Sequence, residues 1–132
     1  MAKVLILEDS KTSRALFLDQ LEGEPVEVVI AETAAEARDF FESDEFDVIA
    51  LDGIAPSAPD QGASLVGPLL AREFRNKGYK GFIVAISSDS EVRALTKKEA
   101  GERVLHRAYA CEKLRLADLI RELLLGIYPT SK

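Results

Sequence analysis

Asp47-Val48-Ile49-Ala50-Leu51-Asp52-Gly53-Ile54-Ala55-Pro56 is the stretch on which the fold turns. Its apolar run, which begins at Phe46 just before it, does not alternate with polar residues and stops abruptly at Asp52. A short continuous run of this kind is expected of a strand buried on both faces, as in a parallel sheet covered by helices. Four runs of similar character lie to either side. Val4-Leu5-Ile6-Leu7 ends in Glu8-Asp9, and Val26-Glu27-Val28-Val29-Ile30-Ala31 follows Pro25 and is rich in β-branched residues. Gly81-Phe82-Ile83-Val84-Ala85-Ile86 ends at Ser87-Ser88. A fifth, shorter run, Val104-Leu105, lies between Arg103 and His106-Arg107.

Helical patterns fill the intervals. Ser10 or Thr12 is placed to cap a helix carrying Ala15, Leu16, Phe17, Leu18 and Leu21. Thr33-Ala34-Ala35-Glu36 has the spacing of a capping box, opening a helix that buries Ala37, Phe40 and Phe41. Residues 65–76 read as a third helix and 90–100 as a fourth, with Gly101 suited to the left-handed residue beyond a helix end. Residues 112–128 read as the fifth, with an apolar stripe of Leu114, Leu116, Leu119, Ile120, Leu123 and Leu124. Five alternating strand–helix units call for an α/β fold with an open, doubly wound parallel sheet and five helices, since eight would be needed to close a barrel. One domain over residues 1–128 is expected, with 129–132 as a tail.

Composition agrees with a globular chain. Of 132 residues, 47 % are hydrophobic and 30 % charged, a balance that supports a packed core without disulfide or metal staples. The single cysteine, Cys111, forms no internal disulfide, and a reducing cytoplasm is the expected compartment. The apolar run at the N-terminus is too short for a signal peptide or a membrane span, so no membrane partner is expected. A net charge of −6 argues against direct nucleic-acid binding.

Ligands of open parallel sheets bind beyond the carboxyl ends of the strands. Glu8, Asp9, Asp52, Ser87, Ser88, His106 and Arg107 all occupy such ends in this reading. Three carboxylates gathered there repel one another, and a hard divalent cation such as Mg²⁺ relieves that cost. With a hydroxyl and a cationic side chain nearby, the chemistry suggested is phosphoryl transfer to a carboxylate.

The segments Lys3-Val4-Leu5-Ile6-Leu7-Glu8-Asp9-Ser10, Asp47 through Pro56, and Val84-Ala85-Ile86-Ser87-Ser88 resemble, in that order, the first, third and fourth strands of response-regulator receiver domains. The resemblance spans essentially the whole chain and implies a flavodoxin-like strand order, 2-1-3-4-5. It implies that Asp52 is the phosphoacceptor, and that Glu8, Asp9, Asp52 and the backbone carbonyl of Ile54 hold Mg²⁺. Ser87 would turn toward the phosphoryl group, and Gly53, Ile54, Ser88 and Asp89 would border it. The donor implied is a histidine kinase or phosphotransfer protein, and the downstream protein target would bind the face made by the fourth helix, fifth strand and fifth helix. Enzymatic activity would extend only to self-phosphorylation and autodephosphorylation.

Three departures accompany the resemblance. The family's Lys-Pro pair after the fifth strand aligns with Arg107-Ala108, making Arg107 the expected phosphoryl-contacting cation. The aromatic position of that strand aligns with Val104. The loop Ser57-Ala58-Pro59-Asp60-Gln61-Gly62-Ala63-Ser64 is longer than the usual turn. The first two departures favour an alternative, a pseudo-receiver that acts as a phosphorylation-independent interaction module. A flavin carrier is disfavoured because the loop after the first strand is acidic, and a dehalogenase-type phosphatase because no Asp-x-Asp follows that strand.

Overall fold

A computed structural model describes residues 1–104 and 106–126. Five parallel strands form the central sheet: β1 (Ala2–Leu7), β2 (Val26–Ala31), β3 (Val48–Leu51), β6 (Phe82–Ala85) and β7 (Ala108–Ala110). They lie in the order β2-β1-β3-β6-β7, which is the expected 2-1-3-4-5 with the intervening hairpin left out of the count. That hairpin, β4 (Ile54–Pro56) and β5 (Ala63–Leu65), is antiparallel and occupies the long loop after β3. The five helices are α1 (Lys11–Leu21), α2 (Ala34–Ser43), α3 (Gly67–Asn76), α4 (Ser90–Gly101) and α5 (Leu116–Leu124).

The pleat divides each inner strand between two cores. Leu5, Leu7, Ile49, Leu51 and Ile83 pack with Ala37, Leu70 and Phe74 on the side of α2 and α3. Val4, Ile6, Val48, Ala50 and Val84 pack with Phe17, Leu116 and Ile120 on the side of α1 and α5. Every residue of β3 is buried, as its unbroken apolar run requires. The anticipated caps form at both early helices: the Ser10 side chain accepts from the Ser13 N–H and the Thr33 side chain from the Glu36 N–H.

The structure corrects the sequence reading at the C-terminal third. The fifth strand is Ala108–Ala110 rather than Val104-Leu105. Val104 lies in a half-buried bend, and Leu105 is outside the described residues. Gly101 is the last residue of α4 rather than a left-handed cap beyond it. The last helix opens with a 3₁₀ turn, Lys113–Arg115, and its regular part starts at Leu116. Leu114 is consequently 68 % exposed instead of joining the apolar stripe, while Leu116, Leu119, Ile120 and Leu123 are buried. The expected extension of that helix to 128 and the tail at 129–132 fall outside the described residues.

Arg75 accounts for much of this path. Its buried guanidinium donates to the carbonyls of Ala100 (2.5 Å), Tyr79 (2.8 Å), Gly81 (2.7 Å) and Arg107 (2.9 Å). One side chain thus ties the end of α4, the approach to β6 and the approach to β7 together. The Arg107 carbonyl also accepts from the Ile83 N–H at 2.9 Å, which sets where β7 begins to pair.

Candidate metal centre

Glu8 and Asp9 follow β1, and Asp52 follows β3, its central neighbour in the sheet. The ladder continues briefly past the strands, with the Glu8 N–H bonded to the Ala31 carbonyl and the Asp52 N–H to that of Leu7. Adjacent strand ends therefore bring three acids together, and one carboxylate oxygen from each of Glu8, Asp9 and Asp52 lies within 4.8 Å of the others. Glu8 is fully buried, Asp52 nearly so and Asp9 exposed, which gives the cluster one open side.

Local hydrogen bonds orient these groups. Glu8 Oε2 accepts from the Ser10 N–H at 3.0 Å, and Asp52 Oδ1 accepts from the Ile54 N–H at 3.2 Å. Arg14 reaches back to the Asp9 carbonyl at 2.7 Å. Burial pushes the Glu8 carboxyl above its ordinary range, against the opposing pull of Lys113 and the Ser10 N–H.

The cation at this site is Lys113, not Arg107. Its ammonium lies 2.8 Å from Glu8 Oε1 and 3.2 Å from Asp52 Oδ2. Burial pulls the Lys113 pKa down, yet Glu8 and Asp52 together hold it above its ordinary value. Arg107 precedes β7, at the opposite end of the sheet from the acids, and its guanidinium stacks over the Phe82 ring at 4.7 Å. The physical reason is the strand's position: with pairing at 108–110, residue 107 enters the sheet and residue 113 lies beyond its carboxyl edge. Lys113 was hidden inside the expected last helix. A lysine shortly after Ala108-Tyr109-Ala110 was the available signal, and the weak apolarity of that triplet obscured it.

The same displacement puts Tyr109, not Val104, inside the fifth strand, in register with Val84 of β6. Its ring tilts against Phe82 at 6.0 Å between centroids. Ser87 lies two residues beyond β6 at 2 % exposure, and its hydroxyl accepts from the Asp89 N–H at 3.2 Å. Asp89 in turn caps α4, accepting from the N–H groups of Glu91 and Val92. Ser88 and Ile54 are both exposed beside these groups. His106 is exposed with φ 61°, and Cys111 is half-buried with its thiol pushed up to about 11 by burial, which leaves it a poor nucleophile.

The donor set fits Mg²⁺. It is all oxygen, clustered and open on one side, and it includes a buried oxygen, Glu8 Oε1, that beyond its ion pair with Lys113 makes no hydrogen bond among the described residues. Lys113 supplies part of the positive charge the acids require.

A five-stranded parallel sheet in this order, with helices on both faces, is the flavodoxin-like fold that the receiver domains of response regulators adopt, and this chain has that fold. No family model matches the chain, and no curated protein matches it. Among solved structures, it is similar to the response regulator TrrA from Thermotoga maritima in complex with Mg²⁺-BeF, at 25 % identity and TM-score 0.71, covering 96 % of this chain and 99 % of that one. It is similar also to a CheY-like receiver domain from Methylobacillus flagellatus, at 20 % identity and TM-score 0.69, covering 96 % and 98 %. A two-component response regulator from Clostridium difficile has 19 % identity and TM-score 0.74 over 96 % and 97 %.

Proposed function

We propose that this chain is a phosphoacceptor receiver in two-component signal transduction, with Asp52 taking a phosphoryl group from a phosphohistidine on a kinase or phosphotransfer protein. The observation that carries the reading is the cluster of Glu8, Asp9 and Asp52 bridged by Lys113. A carboxylate oxygen of Asp52 attacks phosphorus, the P–N bond to the donor imidazole breaks, and its electron pair leaves on the ring nitrogen, which takes up a proton. Glu8, Asp9, Asp52 and the Ile54 carbonyl are the groups that would hold Mg²⁺. When bound, the ion neutralises charge on the transferring oxygens.

Lys113 already faces Asp52 and needs only a small swing to pair with a phosphoryl oxygen instead. Ser87, next to the residue after the acceptor, is the hydroxyl available to report the phosphoryl group to the fold. The downstream partner would dock on the face of α4, β7 and α5. A cytoplasmic setting without membrane or direct nucleic-acid partners belongs to the same reading. Among the described residues, no helix is long and apolar enough to cross a membrane. The pseudo-receiver alternative loses its two main supports, because Lys113 supplies a cation at the acids and Tyr109 an aromatic ring in the fifth strand.

Intact-mass spectrometry after incubation with acetyl phosphate and Mg²⁺ tests the assignment. A single phosphoryl adduct is expected in the wild type and none in Asp52→Ala; an adduct that persists in the variant overturns it.

A further inference from the structure

The residue after the acceptor is a glycine, and its backbone does not explain why. Gly53 does not have positive φ, so L-residues are allowed there conformationally. Space is the constraint. A Cβ on Gly53 would collide with Val92 Cγ1 of α4 and would lie 3.3 Å from the Ser87 Cβ. Gly67, the first residue of α3, repeats the pattern: a Cβ there would lie 2.5 Å from the Gly53 Cα, 2.9 Å from the Asp52 carbonyl oxygen and 3.0 Å from Thr96 Oγ1 of α4. The Gly53 carbonyl is held from the same side by the N–H groups of Val66 (2.9 Å) and Gly67 (3.0 Å). Two side-chain-free residues thus form a notch in which the acceptor loop, the start of α3 and the middle of α4 meet.

Val92 and Thr96 are one helical turn apart, so both face this notch from α4. A valine in a helix is nearly confined to one rotamer and cannot fold away from an intruding atom. Thr96 is fully buried, and its hydroxyl has no hydrogen-bond partner among the described residues. The cost of that unpaired hydroxyl lowers the preference for this seating of α4 over a displaced one.

We infer that Val92 is a positioning residue: its contact with Gly53 fixes α4 to the loop that carries Asp52 and Ile54, so that movement of the loop is transmitted to α4 directly. This rests on the proposed phosphoacceptor function for its trigger but not for the contact itself. Motion of the Asp52-Gly53-Ile54 backbone presses on α4 at Val92, independently of Ser87 and Tyr109.

Hydrogen exchange across residues 91–100 reads the coupling in wild type, Gly53→Ala, Val92→Ala and the double variant. Without ligand, Gly53→Ala is expected to speed exchange in α4 at least threefold, and the double variant to restore wild-type exchange because the methyl enters the space vacated by Val92. With Mg²⁺ and beryllofluoride, wild type is expected to change α4 exchange, Val92→Ala to bind the ligand yet lose most of that change, and Ser87→Ala to keep part of it. A double variant no closer to wild type than Gly53→Ala overturns the contact. An unchanged α4 response in Val92→Ala overturns the transmission. If wild type does not bind beryllofluoride, the phosphoacceptor reading fails and the transmission with it, while rescue in the ligand-free protein still decides the contact.

Discussion

Glu8 sits at a buried position where loss of solvent favours the neutral acid and raises its pKa. The metal-free protein should feel this as a penalty that appears with rising pH. Because the folded-state pKa is raised, the favourable contribution of the protonated acid is complete below its unfolded value and is lost as pH rises through the folded value. Glu8→Gln should therefore gain stability relative to wild type between the ordinary glutamate pKa and neutral pH, and lose its response to Mg²⁺. Urea melts of both proteins from pH 4.5 to 7.5 test this, and a gap that does not widen with pH contradicts it. Lys113 opposes the penalty. Lys113→Met leaves Glu8 and Asp52 facing each other and should cost about 1–3 kcal/mol at pH 7 without metal, a loss that added Mg²⁺ largely reverses. A loss that Mg²⁺ does not touch would mean that Lys113 acts through packing alone.

At the scale of elements, the junction of α4 with β7 depends on Arg75. A buried guanidinium hydrogen-bonded to carbonyls and lying over the Tyr79 ring at 5.4 Å is held, among the described residues, without a counter-charge. Burial lowers its pKa, with Arg107 nearby adding to that effect, but not enough to discharge a guanidinium at neutral pH. Arg75→Met keeps most of the apolar stem, removes the guanidinium donors from the carbonyls of Ala100, Tyr79 and Gly81, and leaves that of Arg107 to the Ile83 N–H. The expected loss is roughly 2–4 kcal/mol, with amide exchange rising first in β7 and at the end of α4. Uniform exchange across the sheet would show that the junction is no weaker than the rest. This junction is also where the sequence was least legible. Val104 and Leu105 are more apolar than Ala108-Tyr109-Ala110, and local apolarity favours the wrong pair. The strand forms later because the Ile83 N–H and Arg75 both bond to the Arg107 carbonyl, which fixes the register at Ala108. The hairpin of β4 and β5 was equally hidden, because Ser57 and Ser64 read as loop residues although their hydroxyls meet across it at 3.1 Å.

For the whole molecule, the proposed function links metal binding to folding through the sheet's carboxyl edge. A ligand bound only by the folded state stabilises it by about 2.7 kcal/mol at one hundred times its Kd. Saturating Mg²⁺ should raise the melting temperature of wild type by several degrees and leave Glu8→Gln/Asp52→Asn unmoved; an equal rise in both would place the metal elsewhere. The alternation of strands and helices, the order of the sheet and the gathering of Glu8, Asp9 and Asp52 were all determined by the sequence alone. The alternation rests on local periodicity, the gathering of the acids on the rule that a doubly wound sheet collects its ligands at one edge, and the strand order on the resemblance to receiver domains. Tertiary structure alone decided that Lys113 rather than Arg107 faces Asp52, that Tyr109 occupies the fifth strand, and that α4 seats on Gly53. Each of these depends on the position of a short, weakly apolar strand or on a contact between backbones distant in the chain. Such positions are set by hydrogen bonds and free space supplied from other elements, which no local pattern of residues encodes.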